Sequence, residues 1–185
     1  MSRKYKIGDV DKPHFVTFTV IHWIDVFIRD EYRKIFVDSV KYCQENKSLE
    51  VFAWCIMPSP IHMILRTATH HRLVDVIRDL KSFTSRSIRM LLEDSSFEER
   101  RRDWLLRMMY NAGRFNRNNR DWQFWQQHNN PIELSYDQRI ENTLDYIHMN
   151  PVKAGFTLSP EAWTYSSACD YYQTSKGLID LVFLN

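Results

Sequence analysis

The sequence predicts an α+β fold: a ferredoxin-like sandwich with a central antiparallel sheet, helices on one face, an extra helical insertion and a further helix toward the C-terminus. Three observations point there. Residues 14–21 alternate with the period of two that marks a strand. Residues 49–57 and 61–66 are short apolar runs separated only by Pro58-Ser59-Pro60. Three longer stretches repeat their apolar residues every three or four positions. In chain order this reads β-α-β-β-α-α-β-α, with hairpins as well as crossovers, which suits one antiparallel sheet backed by helices.

The first strand, HFVTFTVI over 14–21, sets Phe15, Thr17 and Thr19 against Val16, Phe18 and Val20 and is rich in β-branched residues. From 29 to 46, Tyr32, Ile35, Phe36, Ser39, Val40 and Cys43 recur at helical spacing. The Pro-rich link between the next two runs suits a hairpin. A long helix over 73–93 carries the stripe Leu73, Val76, Ile77, Leu80, Phe83, Ile88, Leu91 and Leu92, and a second over 97–110 is expected to end at Asn111-Ala112-Gly113. Residues 114–121, polar and rich in Asn and Arg, read as a mobile loop. Residues 123–127 and 131–134 are candidate short strands. Residues 137–150 read as a helix with Ile140, Leu144 and Ile147 inward, stopped by Pro151. The GLIDLVFL of the turn-rich tail is expected to be an edge strand or a docking segment. One domain over 1–185 accounts for the chain, with its core at about 13–155 and a tail at about 156–185.

Composition narrows the function classes. At 44% apolar residues the chain can bury a core and is not a disordered protein. The basic start, MSRKYK, has no apolar run behind it, and no window approaches eighteen consecutive apolar residues, so neither an export signal nor a membrane span is expected. Cys43, Cys55 and Cys169 lie far apart with no CxxC pair, which reads as reduced thiols packed in a cytoplasmic protein. Four glycines leave no GxGxxG and no P-loop.

The net charge of +2 conceals a local field. Between Arg100 and Arg120 there are seven arginines and one acid, Asp103, and Trp122, Phe124 and Trp125 follow directly. Guanidinium groups interleaved with rings suit folded single-stranded nucleic acid, with cations on phosphates and ring faces on bases. The candidates are Lys81, Arg86, Arg89, Arg114, Arg117 and Arg120, with Trp122 and Trp125 as stacking platforms. A stretch such as FEERRRDWLLRMM also fits a solvated helix face, with Glu98 and Glu99 paired to arginines one turn on.

Two other stretches could carry chemistry. AWCIMPSPIHMILRT places one imidazole, His62, just inside the second apolar run, where a histidine is either a hydrogen-bonded structural side chain or a ligand. In DYIHMNPVKAG, Asn150 lies one helical turn past Tyr146, so a phenol and an amide share a face from which His148 is turned away. If that face meets the sheet near His62, the three offer a nucleophile and two neutral ligands for a divalent ion.

These stretches resemble the REP-associated tyrosine transposases, within the single-tyrosine HUH (His-hydrophobic-His) transposases of bacterial insertion sequences. FVTFTV is similar to that family's first strand, EVFAWCIMPSPIHMIL to its metal-bearing strand pair and VIRDLKSFTSRSI to its long helix. FWQQHNNPIEL and DYIHMNPVKAGF look like the last core strand and the nucleophile helix, and YSSACDYY like the tail. The resemblance implies a DNA transposase: a metal-dependent endonuclease and strand transferase acting on single-stranded or hairpin DNA. Tyr146 would attack a phosphodiester, leaving a 5′-phosphotyrosine link and a free 3′-hydroxyl. His62 and Asn150 would hold a Mg²⁺ or Mn²⁺ ion that withdraws charge from the phosphate. A monomer is expected rather than a homodimer, with no membrane partner.

One position departs from the pattern. The family's strand motif reads Met-Pro-Asn-His-hydrophobic-His, and this chain has Pro60 in place of the first histidine. Two histidines at i and i+2 share a strand face and grip one ion, so proline there removes a ligand, and a backbone donor with it. The alternative reading is therefore a hairpin-DNA-binding descendant with impaired cleavage. His14, His22, Glu50 and His128 are the groups that could replace the missing ligand. A third reading, an α+β RNA-binding domain, lacks the Gly- and aromatic-rich strand signature of such domains.

Overall fold

In the computed structural model, which describes residues 12–68, 71–116, 121–127, 131–135 and 137–183, four strands form one sheet. β1 (His14–Phe18), β2 (Leu49–Ile56), β3 (Ile61–Thr67) and β4 (Ile132–Glu133) lie in the order β2-β3-β1-β4, each neighbouring pair antiparallel. This is the expected ferredoxin-like order, with β1 and β3 central. The helices are α1 (Asp30–Lys47), α2 (Leu73–Glu93), α3 (Arg102–Arg114), α4 (Asp137–Lys153) and a short α5 (Ala168–Tyr171).

The register sorts the side chains onto two faces. Val16, Phe18, Val51, Trp54, Ile56, Ile61, Met63 and Leu65 join the main core with Phe36 and Val40 of α1 and Leu80 and Ile88 of α2. Fully burying each such side chain contributes about 1.5–3 kcal/mol. At the centre Phe18, Phe27, Phe36 and Trp125 pack ring to ring at 5.5–6.1 Å, mostly edge to face. On the other face Thr17 lies opposite His62 and His62 opposite Cys55, while Phe15 lies opposite Ile64 and Ile64 opposite Ala53. There Ala53, Cys55 and Ile64 meet Ile147 of α4, with Ile140 and Leu144 packed alongside. The two long helices thus share one face as expected, and α4 crosses the opposite one.

Several boundaries differ from the sequence reading for identifiable reasons. The first strand stops at Phe18, and Val20 makes an isolated bridge to Trp125, which is what remains of the strand expected at 123–127. The helix expected at 97–110 runs from Arg102 to Arg114. Asp94 ends α2 and accepts hydrogen bonds from the backbone and hydroxyl of Ser96, a local turn that competes with helix. Gly113 does not end α3. It lies buried against the backbone of Asp121 and Trp122, where a β-carbon would collide, so the glycine permits close approach. Pro151 does not stop α4, because it sits in the last turn. Gly155 (φ +75°) follows at the C-terminal cap, where its N–H donates to Val152 and that of Phe156 to Pro151, a Schellman closure. The loop expected at 114–121 is described only at its two ends.

The tail covers the outer edge of β2. Ile56 N–H donates to Tyr165 (2.8 Å), Ser167 N–H to Trp54 (2.9 Å) and Val182 N–H to Val51 (2.9 Å), which removes an unpaired sheet edge. GLIDLVFL is therefore a docking segment, with Ile179 buried, and not a strand among the described residues. The three cysteines are free and buried. Among the described residues no helix is long and apolar enough to cross a membrane.

Candidate active site

β3 and α4 bring two of the side chains singled out in the sequence, His62 and Tyr146, together. The period-two register of β3 turns His62 onto the α4 face, where it is 5% exposed. Its ring lies 5.3 Å from that of Tyr146, centroid to centroid, at 71°. Phe15 stacks on His62 (5.6 Å, 15°) and meets Tyr146 edge-on at 6.1 Å, so three rings brace one another. Tyr146 itself is 43% exposed and open to a large substrate. Thr17 Oγ1 lies 3.2 Å from His62 Nδ1, its cross-strand neighbour, which occupies that nitrogen and leaves Nε2 as the remaining polar atom of the ring. Burial pushes His62 down to about 4, so the imidazole is neutral near pH 7.

Asn150 stands one turn beyond Tyr146 as the spacing requires. Its Nδ2 donates to the Tyr146 carbonyl oxygen at 2.7 Å, which turns the amide back along the helix and keeps Oδ1 out of that bond. His148 points elsewhere, into a buried hydrogen bond with Ser167 Oγ (2.8 Å), as its position on the helix predicts.

Pro60 lies one residue before β3, and Ile61 already pairs with Ile56 and Phe18. The expectation that this proline costs the sheet a backbone donor is therefore corrected: position 60 lies outside the paired strand. None of the described stand-ins supplies one. His14 points to the α1/α2 side and its Nδ1 lies 2.8 Å from the Lys12 carbonyl oxygen, Glu50 pairs with Arg66 at 2.6 Å, and His22 is exposed in a 3-10 turn. His128 lies outside the described residues. Among the described residues no three His, Cys, Asp or Glu side chains cluster as a metal site. Mg²⁺ and Mn²⁺ are hard ions that favour oxygen donors, carboxylates above all, in near-octahedral order. One imidazole and one carboxamide do not make such a site on their own.

A groove of about 690 Å³ runs between α2 and residues 122–127, lined by Lys81, Ser85, Arg86, Arg89, Trp122 and Trp125. Five of the residues expected to touch nucleic acid thus meet in one place, though not all in the roles expected. Trp122 and Trp125 are only 9% and 5% exposed, and their indole N–H groups donate to Ser85 and Thr84 hydroxyls (3.0 Å each). They are walls of the groove and not stacking platforms, because core packing takes their faces. Arg89 bonds Glu93 and the Tyr110 hydroxyl and sits over the rings of Tyr110 and Trp122, so it braces α2 against α3. Lys81 Nζ donates to the Gln126 carbonyl oxygen at 2.6 Å, and burial pushes its pKa down to about 8. Arg86 is exposed in the groove and Arg114 exposed at the end of α3, and neither is ion-paired among the described residues. Arg117 and Arg120 lie outside the described residues. The pairing expected of Glu98 and Glu99 with arginines one turn on is not seen among the described residues, because both precede α3; Glu99 pairs instead with Arg29 and with Arg101, two residues on.

A family model described as "Transposase IS200 like" (Y1_Tnp) matches residues 12–115. The chain belongs to the IS200-like Y1 transposase family. The match runs from β1 through α3, including His62, and stops before α4. No curated protein matches the chain. Among solved structures, this transposase superposes along its whole length on 94% of a REP-associated tyrosine transposase bound to a REP hairpin, with a TM-score of 0.64 at 15% identity. That likeness extends the transposase fold to α4 and the tail. A candidate transposase from Deinococcus radiodurans R1 matches over 79% of this chain and 92% of its own, at 15% identity and a TM-score of 0.42, too loosely to bear on the fold.

Sequence reasoning missed Phe115, which is 90% exposed beyond α3, because a lone aromatic between Arg114 and Asn116 has no period to mark it. It also missed Phe15, whose place on the sheet shows only when β1 is paired with β3.

Proposed function

We propose that this transposase family member acts on hairpin DNA as a single-strand endonuclease and strand transferase, with Tyr146 as nucleophile and with cleavage slowed by Pro60. The observation that carries the reading is the half-exposed Tyr146 phenol packed against neutral, buried His62 at the α4 face of the sheet. The hairpin-bound REP-associated relative of like fold supports DNA as the partner. In the step proposed, a bond forms between Tyr146 Oη and phosphorus as the bond from phosphorus to O3′ breaks. The 5′ phosphate stays on the tyrosine, and the 3′-hydroxyl leaves with a proton. Attack by another 3′-hydroxyl reverses the link and transfers the strand.

The chain's own residues do the positioning. Phe15 and His62 fix the phenol's ring, and Arg86 and Lys81 offer positive charge to the DNA backbone from the groove. Tyrosine nucleases of this family typically use a divalent metal, and His62 and Asn150 are the nearest this chain has to its ligands. With that donor set incomplete, binding is expected to be intact and cutting slow. We read the chain as acting in the cytoplasm, as a monomer and as one unit over 1–185.

The test is incubation of labelled single-stranded hairpin DNA and Mn²⁺ with the parent protein, Tyr146→Phe and Pro60→His, resolved on denaturing gels. Slow cutting by the parent, faster cutting by Pro60→His and none by Tyr146→Phe is the expected pattern. Cutting by Tyr146→Phe at the parent's rate overturns the nucleophile. Binding without any cutting in all three favours the second reading, a descendant that only holds the hairpin, to which Pro60 already points.

A further inference from the structure

Tyr146 shares its helix face with charge. Turning by about 100° per residue, α4 brings positions 139 and 153 to within about 20° of Tyr146, and positions 142 and 150 to within about 40°. The line along the helix therefore reads Arg139, Asn142, Tyr146, Asn150, Lys153. Arg139 and Lys153 are the lysine and arginine of α4, and both fall on this one line. They stand seven residues before and after the phenol, about 10.5 Å along the axis on either side. Both are exposed, and neither is ion-paired among the described residues. The acids Glu141 and Asp145 lie about 140° and 100° round the helix from Tyr146. Helix stability does not account for this order. Lys153 in the last turn complements the macrodipole, but Arg139 sits in the first turn, where positive charge is disfavoured. Gln138 Nε2 donates to Asn142 Oδ1 (3.2 Å), and no carboxylate closes on the arginine among the described residues.

We propose that Arg139 and Lys153 are phosphate clamps that lay a single DNA strand lengthwise along α4, one on each side of the scissile phosphate at Tyr146. Three physical arguments carry it. A polyanion is held by cations that have no acid of their own to neutralise, and both cations of this face meet that condition. Their equal spacing about the phenol centres the reacting phosphate between two fixed points. A strand held at one point pivots, whereas one held on both sides keeps its phosphorus in line with the attacking oxygen. The groove of Lys81 and Arg86 lies by α2, across the sheet from α4, so the two basic sites hold different parts of the DNA. The proposal rests on the DNA reading above and assigns to it two residues that make no contact with His62 or Phe15 among the described residues.

The test measures fluorescence anisotropy of the full chain with hairpins of one stem, either blunt or carrying a single-stranded flank. Arg139→Ala and Lys153→Ala are each expected to bind the flanked hairpin about three- to tenfold more weakly and the blunt one as the parent does. Each should also lower the slope of log Kd against log salt by about 0.7, the share of one single-strand phosphate. Arg139→Lys should keep most of the parent's affinity. Lys34→Ala, which removes an exposed cation from α1 on the other face, should change nothing. A neutral methylphosphonate is then placed at each flank linkage in turn. Two linkages, one on either side of the phosphate cut, should weaken the parent, one of them adding nothing to Arg139→Ala and the other nothing to Lys153→Ala. If both alanine variants bind the flanked hairpin as the parent does, or lose the blunt hairpin equally, the clamps are refuted while the DNA reading stands. Sensitive linkages all on one side of the cut refute them too. If the parent binds neither hairpin, both fall.

Discussion

The rings of His62 and Tyr146 lie 5.3 Å apart, one from the third strand and the other from the fourth helix, and Phe15 touches both. Because the histidine is buried while the tyrosine is half exposed, the pair makes a fixed base beneath an accessible phenol. Restoring a second imidazole two residues before His62 should complete a metal grip on that side. Pro60→His is expected to raise Mn²⁺-dependent nicking by about 10- to 100-fold, the range seen when metal affinity is altered by one neighbouring group. Titrating Mn²⁺ against nicking rate checks it. An equal rate in the two proteins at every metal concentration contradicts it.

Arg86 and Arg89 sit three residues apart in the same groove and should behave differently. Arg86, exposed and without an ion pair among the described residues, is expected to act on phosphate alone. Arg86→Ala should weaken all hairpins alike and lower the slope of log Kd against log salt by about one, with no change in melting temperature. Arg89→Ala should cost about 1 kcal/mol of stability, since it loses Glu93 and two ring faces. Salt-dependent anisotropy and urea unfolding separate the two.

Gly113 lies where α3 meets Trp122, and the space for a β-carbon is taken by backbone that cannot swing aside. Gly113→Ala is expected to cost about 1–3 kcal/mol despite the helix propensity gained, and to distort the groove that Trp122 lines. Urea unfolding with tryptophan fluorescence reads both effects. A stabilised Gly113→Ala protein would mean that the two segments do not touch.

Much of this arrangement was legible in the sequence because it follows from two periods. Alternation in HFVTFTVI and the two apolar runs on either side of Pro58-Ser59-Pro60 assigned the strands, and the four-residue step from Tyr146 to Asn150 put both on one helix face. What was not legible depends on tertiary contact. Nothing in the spelling of Trp122 and Trp125 tells a groove wall from a stacking platform; the hydroxyls of Ser85 and Thr84, far away in sequence, decide it. Gly113 resembled a helix end because glycine serves both there and at close backbone crossings. Asp94 shifted a helix start because its side chain competes for the backbone locally.

Acid should loosen the fold through its buried histidines. Burial pushes both His62 and His148 down to about 4 from an ordinary value of 6.5, with Asp145 and Asp170 partly opposing this for His148. The unfolded chain therefore binds protons near pH 6.5 that the folded chain refuses until about pH 4. Their contribution is fully present above about pH 6.5 and is lost as pH falls, at about 1.4 kcal/mol per unit for each group. His148→Gln should flatten the stability-versus-pH slope between about pH 5 and 6.5 by nearly one proton. An unchanged slope in urea unfolding would show that His148 is not buried neutral.

The most direct test is to find where the DNA ends up. Pro60→His protein reacted with a hairpin oligonucleotide and Mn²⁺, then digested and mapped by mass spectrometry, should carry a 5′-phosphate-linked nucleotide on the peptide containing Tyr146 and on no other. Cleaved DNA with that peptide unmodified, or with the adduct on a different residue, would contradict the account.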